Sequence, residues 1–192
     1  MAKRTPGGIG DAPPATAKDP NPAAAGLATL EPADTLVERT VTINRPRQEL
    51  YEFWRDFSNL ALFMENIESV TVLDAARSHW VVKAPADSTV EWDSIITEDR
   101  PGELIAWTSA EGASVANSGR IEFRDSSNGR GTVVTVTIAY DPPLGAVGKM
   151  FAKLFQREPK IQARQDLRRF KQLMETGEIA TSQPPYAAPR GE

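Results

Sequence analysis

The chain predicts an α+β domain: a curved antiparallel sheet of about seven strands around a long, proline-kinked C-terminal helix, with two short helices after the first strand. Three observations predict it. Short runs rich in β-branched and aromatic residues follow one another from Val70 to Tyr140, separated by turn residues. Apolar residues at helical spacing precede them, between Leu50 and Met64, and a longer helical pattern follows, to about Glu175. A sheet with one apolar face must cover it, and only the final helix is long enough to do so.

The elements follow in order. Val37-Glu38-Arg39-Thr40-Val41-Thr42-Ile43 alternates apolar and polar residues, which suits a half-buried strand. Asn44 and Pro46 then offer a cap and an early helical proline to a helix carrying Leu50, Phe53, Trp54 and Phe57. Ser58 and Asn59 can cap a second short turn that ends near Met64. Strands are expected at Val70–Leu73, His79–Ala84 and Thr89–Thr97, the last stopped by Asp99-Arg100-Pro101-Gly102. Leu104–Thr108 and Gly119–Phe123 come next. Ser126-Ser127-Asn128-Gly129 reads as a hairpin turn into Thr132–Tyr140. Six strands in succession joined by short connections predict an antiparallel meander.

After Asp141-Pro142-Pro143 the pattern is helical to about Glu175, with Gly177 as the stop. Pro159 interrupts it and biases Glu158 away from helical angles. The apolar stripe shifts there, from Val147, Phe151, Leu154 and Phe155 to Ala163, Leu167, Phe170 and Met174. A kink or short break between two helical pieces is the expectation.

Residues 1–35 hold many Pro, Ala and Gly and almost no large apolar side chains, so they read as a disordered tail, and residues 180–192 read the same way. The domain is therefore expected over residues 36–179. In a chain of 192 residues, 40% apolar composition can supply one core. A formal net charge of −4 argues against capture of nucleic acid by the whole molecule. The absence of cysteine removes disulfides, thiolate metal sites and cysteine nucleophiles, and fits a reducing compartment. No apolar run of signal-peptide length follows Met1-Ala2-Lys3-Arg4, and none is long enough to span a bilayer. The expected location is cytoplasmic, with peripheral association at the inner membrane face as a variant.

Several strings carry a resemblance. They are Val41-Thr42-Ile43-Asn44-Arg45-Pro46 leading into Glu49-Leu50-Tyr51-Glu52-Phe53-Trp54-Arg55-Asp56-Phe57, then Ser78-His79-Trp80 and Val90-Glu91-Trp92. Glu98 to Trp107 and Asp166 to Lys171, with Glu175-Thr176-Gly177-Glu178, complete the set. Over about residues 36–179 the chain resembles the START-like superfamily, in its polyketide cyclase/dehydrase and coenzyme Q-binding branch (SRPBCC proteins), and within it a bacterial subgroup of uncharacterised cyclase-like proteins. The resemblance implies a helix-grip fold. That scaffold houses carriers, cyclases, aromatase-like enzymes and stress proteins, so chemistry has to be read from the residues.

Strand alternation assigns those residues to faces. Trp80 and Val82 share one face, as do Trp92 and Ser94 on the next strand. Trp107, Phe123, Val136 and Tyr140 extend the apolar rows, and Phe170 faces them from the final helix. These nine are the candidate cavity-lining, ligand-binding residues. Aromatic walls with a few polar tips suit flat apolar ligands such as quinones, polyketides or lipids. The same aromatics suit a solid core, which is the commoner fate of an aromatic stripe on a strand, and sequence alone leaves that choice open.

No catalytic residue is assigned. His79, the only histidine, alternates with Trp80 and so belongs to the outer face. Glu91 and Asp93 share that outer face, where Lys83 is a candidate cross-strand partner. No phosphate loop, dinucleotide fingerprint or nucleophile elbow occurs, so no cofactor is expected, and one histidine without cysteine gives no metal motif. Leu144 to Arg157 is amphipathic, which makes Lys149, Phe151, Lys153 and Phe155 candidates for membrane contact, although a core-packing helix has the same pattern. The expected function is binding of a hydrophobic small molecule by a non-catalytic carrier or sensor. The alternatives are a polyketide cyclase/dehydratase-type enzyme and an interaction module using the proline-rich tail or the basic C-terminal helix, where Lys149, Lys153, Arg157, Lys160, Arg164, Arg168 and Lys171 recur at spacings of three and four.

Overall fold

The computed structural model describes residues 35–84, 87–140 and 159–179. Strand β1 (Thr35–Ile43) leads into helix α1 (Arg47–Arg55) and a 3-10 segment (Phe57–Leu62). Six strands follow: β2 (Ile67–Val72), β3 (Arg77–Ala84), β4 (Ser88–Arg100), β5 (Leu104–Ser109), β6 (Asn117–Asp125) and β7 (Thr132–Tyr140). Helix α2 (Pro159–Thr176) comes last. The expected membrane-contact residues Lys149, Phe151, Lys153 and Phe155 lie outside the described residues, as do both tails and the segment preceding Pro159 that a kink would involve.

All neighbouring strands are antiparallel, in the order β1-β7-β6-β5-β4-β3-β2. The six later strands form the meander read from their turns. Hydrophobic alternation could not say where β1 goes; it pairs with β7 along its whole length, from Thr35 opposite Tyr140 to Ile43 opposite Thr132. The sheet curls around α2 in the helix-grip arrangement. Two irregularities interrupt the ladders, between Ile67 and Ser69 in β2 and between Ile96 and Glu98 in β4. Such bulges bend a strand and re-aim the side chains beyond them.

The bulge in β4 has a visible effect. Before it, Val90, Trp92, Ser94 and Ile96 share a face; after it, Asp99 lies opposite Ile105, on the face that α1 covers. There Asp99 accepts hydrogen bonds from the Tyr51 hydroxyl at 2.5 Å and from Arg55 Nε at 2.6 Å. Burial and this carboxylate together push the Tyr51 phenol up to about 12.

Turn chemistry differs from expectation at α1. Pro46, not Asn44, is the residue before the first helical turn, and it makes no side-chain cap. Asn44 instead donates its backbone N–H to Glu175 Oε1 at 2.7 Å, tying the end of β1 to the end of α2. Arg45 Nε completes the tie by donating to the Met174 carbonyl at 2.6 Å. The 3-10 segment is capped by Asp56, which accepts from the Ser58 N–H, rather than by Ser58 or Asn59. Aspartate is an acceptor with the right reach for this position.

Helix α2 lays Leu167, Phe170 and Met174 into the core, packing against β1 and α1. Each such burial is worth about 2 kcal/mol. At its centre Phe170 is fully buried among Phe53, Trp54 and Phe63, with ring centroids 5.0–5.8 Å away. Gly177, with φ of +77°, ends the helix by donating to the Leu173 carbonyl at 2.8 Å.

Candidate functional site

Phe170 and Met174, in the C-terminal half of α2, are buried in the core, while Gln162, Ala163, Asp166 and Leu167 nearer its start border open space. A cavity of about 170 Å³ lies there, walled by the inner faces of the strands, by α1 and the residues after it, and by α2. An engineered apolar cavity of similar size, about 150 Å³, holds benzene. All four tryptophans of the chain (Trp54, Trp80, Trp92 and Trp107) form part of the wall.

The wall is built by strand pairing. Trp80 of β3 lies directly opposite Trp92 of β4, and their rings stack with centroids 6.1 Å apart at an interplanar angle of 12°. The Trp80 indole N–H is satisfied within the wall by Ser78 Oγ at 2.9 Å, so it makes no demand on a guest. Phe57 packs edge-on against both Trp80 and Trp107, at 5.6 and 5.8 Å. Trp107 lies over Gly119 of β6, where an added Cβ would sit 2.4 Å from its ring. Only glycine allows that approach.

Of the nine residues expected from sequence, Trp80, Val82, Trp92, Trp107 and Val136 line the cavity. Three do not. Ser94 is buried away from it, its hydroxyl donating to the Thr108 carbonyl at 3.1 Å. Phe123 is sealed beneath Tyr51, which meets it edge-on at 6.1 Å. Phe170 is closed off by the aromatic cluster of α1. Ser94 and Phe123 lie on the inward side of their strands, as alternation requires, but Phe123 is covered by Tyr51 of α1. Tyr140 closes β7, and its side chain lies outside those described.

The structure adds wall residues that strand alternation could not find. Trp54, Leu60, Met64 and Asn66 come from α1 and the stretch before β2, Asn117 from β6, and Gln162, Ala163 and Asp166 from α2. Asp166 alters the chemistry. Strand alternation placed no acid or base on the inner face; here a carboxyl, only 9% exposed, forms part of the wall. It accepts from Gln162 Nε2 at 2.9 Å and from the Glu65 main-chain amide. Burial pushes it up to about 7, outweighing the Gln162 hydrogen bond and the Arg169 guanidinium, which act to lower it. Arg169 is itself ion-paired with Glu65. The sequence did carry a signal. Asp166 lies three residues after Ala163, one before Leu167 and four before Phe170, a carboxyl set inside an apolar helical stripe.

The other charged candidates lie elsewhere. His79 projects from the face of β3 opposite Trp80, with Nδ1 2.8 Å from Asp93 and Nε2 3.5 Å from Glu91. The hydrogen bond to Asp93 raises its affinity for protons despite some loss of solvent. These carboxylates therefore pair with His79 rather than with Lys83, whose ammonium donates to the Glu65 carbonyl at 3.3 Å. Among the described residues, no group of three or more His, Asp and Glu side chains could hold a metal. Nor is any described helix long and apolar enough to cross a membrane.

A curled meander gripping a C-terminal helix, with an aromatic cavity between them, is the architecture of the START-like (SRPBCC) superfamily. Within it, residues 43–168 match the family described as polyketide cyclase / dehydrase and lipid transport, and the chain belongs to that family. A crystal structure of a Deinococcus radiodurans protein is 43% identical, with a TM-score of 0.62, covering 75% of this chain and 100% of that one. The Zhui aromatase/cyclase of Streptomyces sp. R1128 shares the fold at 17% identity and a TM-score of 0.57, with 76% of this chain and 99% of that one covered. An uncharacterised 17.2 kDa protein of Streptomyces lincolnensis is 28% identical over 139 residues, 72% of this chain and 89% of its own length.

Proposed function

We propose that the protein binds a hydrophobic small molecule, of lipid, quinone or polyketide-like character, in the cavity between sheet and α2, as a non-catalytic carrier or sensor. The observation that carries this reading is the cavity itself: about 170 Å³, walled largely by four tryptophans and other apolar side chains. Packed interiors rarely leave such space. An apolar guest gains from burying surface there at about 25 cal/mol per Å². Native mass spectrometry of protein purified from its own host tests the reading. A co-purifying apolar ligand is expected, while protein that is reproducibly empty and takes up no quinone or lipid refutes it.

A second reading, a cyclase/dehydratase-type enzyme, draws on one observation, the Asp166 carboxyl. A buried group that titrates near neutral pH is suited to general acid–base work. Under this reading, turnover of a supplied polyketide is lost in Asp166→Asn and retained in His79→Gln. Absence of turnover in the wild-type protein leaves the carrier.

A further inference from the structure

We propose that the cavity selects flat apolar ligands carrying a hydroxyl group at one end, and that Asp166 receives this hydroxyl as a hydrogen-bond acceptor. The proposal rests on the reading that the cavity holds a hydrophobic guest, and it names the class of guest.

Among the described residues that wall the cavity, Asp166 is the only ionisable side chain. An ionised carboxyl offers about four acceptor sites and no donor. Gln162 Nε2 and the Glu65 amide occupy two of them. Capacity remains for a donor arriving from the cavity, and the tryptophan-lined portion of the wall accommodates the flat apolar remainder of such a molecule. A ligand carbonyl at the same place would set lone pair against lone pair once the carboxyl ionises.

The groups around Asp166 agree with this polarity. Arg169 on its own helix lies near enough to favour the charged form, but is ion-paired with Glu65. Glu65, from the stretch before β2, contributes a negative charge that favours the neutral form. Lys83 of β3 bonds the Glu65 carbonyl. Burial dominates and holds the carboxyl near its midpoint at neutral pH. A hydroxyl donor therefore tips it to the carboxylate, and the resulting charge-assisted bond is roughly twice as strong as a neutral one.

Isothermal titration calorimetry of the full chain with two probes, 2-naphthol and its methyl ether 2-methoxynaphthalene, at pH 5.5 and 8.0 tests this. The expected result is that 2-naphthol binds about tenfold more tightly at pH 8.0 than at 5.5, as a charge-assisted bond replaces a neutral one. The ether, which has no donor and offers only lone pairs, gains nothing on going to pH 8.0. In Asp166→Asn the pH dependence of 2-naphthol disappears, while unchanged ether binding shows that the variant is folded. The wild-type comparison stands without any variant. If both probes bind and neither affinity moves with pH, the role of Asp166 is overturned and the cavity reading survives. If neither probe binds at either pH, the cavity reading fails and takes this proposal with it.

Discussion

Replacing Asp166 with asparagine probes the carboxyl through folding stability, with no ligand involved. The carboxyl titrates at about 7 in the folded chain against an ordinary value of 3.8. At 1.36 kcal/mol per tenfold, ionising it inside the fold costs at most about 4 kcal/mol more than in the unfolded chain. Between about pH 4 and pH 7 the folded protein keeps a proton on Asp166 that the unfolded chain has released. This group's contribution to stability therefore falls as pH rises through that window and is flat above it. Asparagine cannot ionise, so the variant lacks the slope. Urea denaturation followed by circular dichroism at intervals from pH 4.5 to 8.5 measures both proteins. The stability difference, variant minus wild type, should move in the variant's favour by about 2–4 kcal/mol across the range. Using the difference removes contributions common to both, including those of Asp74 and Glu175, whose carboxyls are held low by Arg77 and Lys171 and matter only in acid. The fixed effect of substituting an amide is a constant offset in that difference and drops out of its change with pH. Parallel profiles would refute the reasoning, because they would mean that Asp166 ionises as freely folded as unfolded.

Three further predictions address the walls and the outer face. Gly119→Val should drive the Trp107 indole into the cavity, since an added Cβ would overlap the ring at 2.4 Å; the expected cost is about 1–3 kcal/mol in urea denaturation, with calorimetry showing loss of ligand uptake. Trp92→Ala should cost only about 1–2 kcal/mol, less than a fully packed tryptophan, because one side of the ring faces the cavity and the substitution chiefly removes the stack on Trp80. A loss above about 4 kcal/mol would mean the wall is closed core. His79 should titrate above its ordinary 6.5 by proton NMR and fall back in Asp93→Asn, since the Asp93 hydrogen bond is the main cause. Its contribution to stability is present below about pH 6.5 and fades as pH rises through the folded value.

The order of elements was legible because each carries its own period: alternation in Thr132–Tyr140, three-and-four spacing in Leu167, Phe170 and Met174, and turn residues between. The same rule placed Trp80 and Trp92 inward and His79 outward. What periodicity cannot supply is depth. Phe123 and Trp107 are both inward residues on neighbouring strands, yet Tyr51 covers one and open space faces the other. That difference is set by where α1 packs, through a ring pair whose members stand 72 positions apart in the chain. The β4 bulge is equally silent in sequence, and without it Asp99 would not face Tyr51 and Arg55. Asp166 escaped notice for another reason: strand alternation drew attention to the sheet, and the opposite wall belongs to α2.

Because every tryptophan in the chain borders the same hollow, the protein carries a built-in optical reporter of occupancy. Indole emission from the folded chain arises wholly from that lining, with no distant ring to dilute it. A guest that excludes water or quenches the excited state should thus change nearly the entire signal. Unlabelled compounds could be screened by steady-state fluorescence, and energy transfer from the rings to a quinone would register the chemistry of the visitor as well as its arrival.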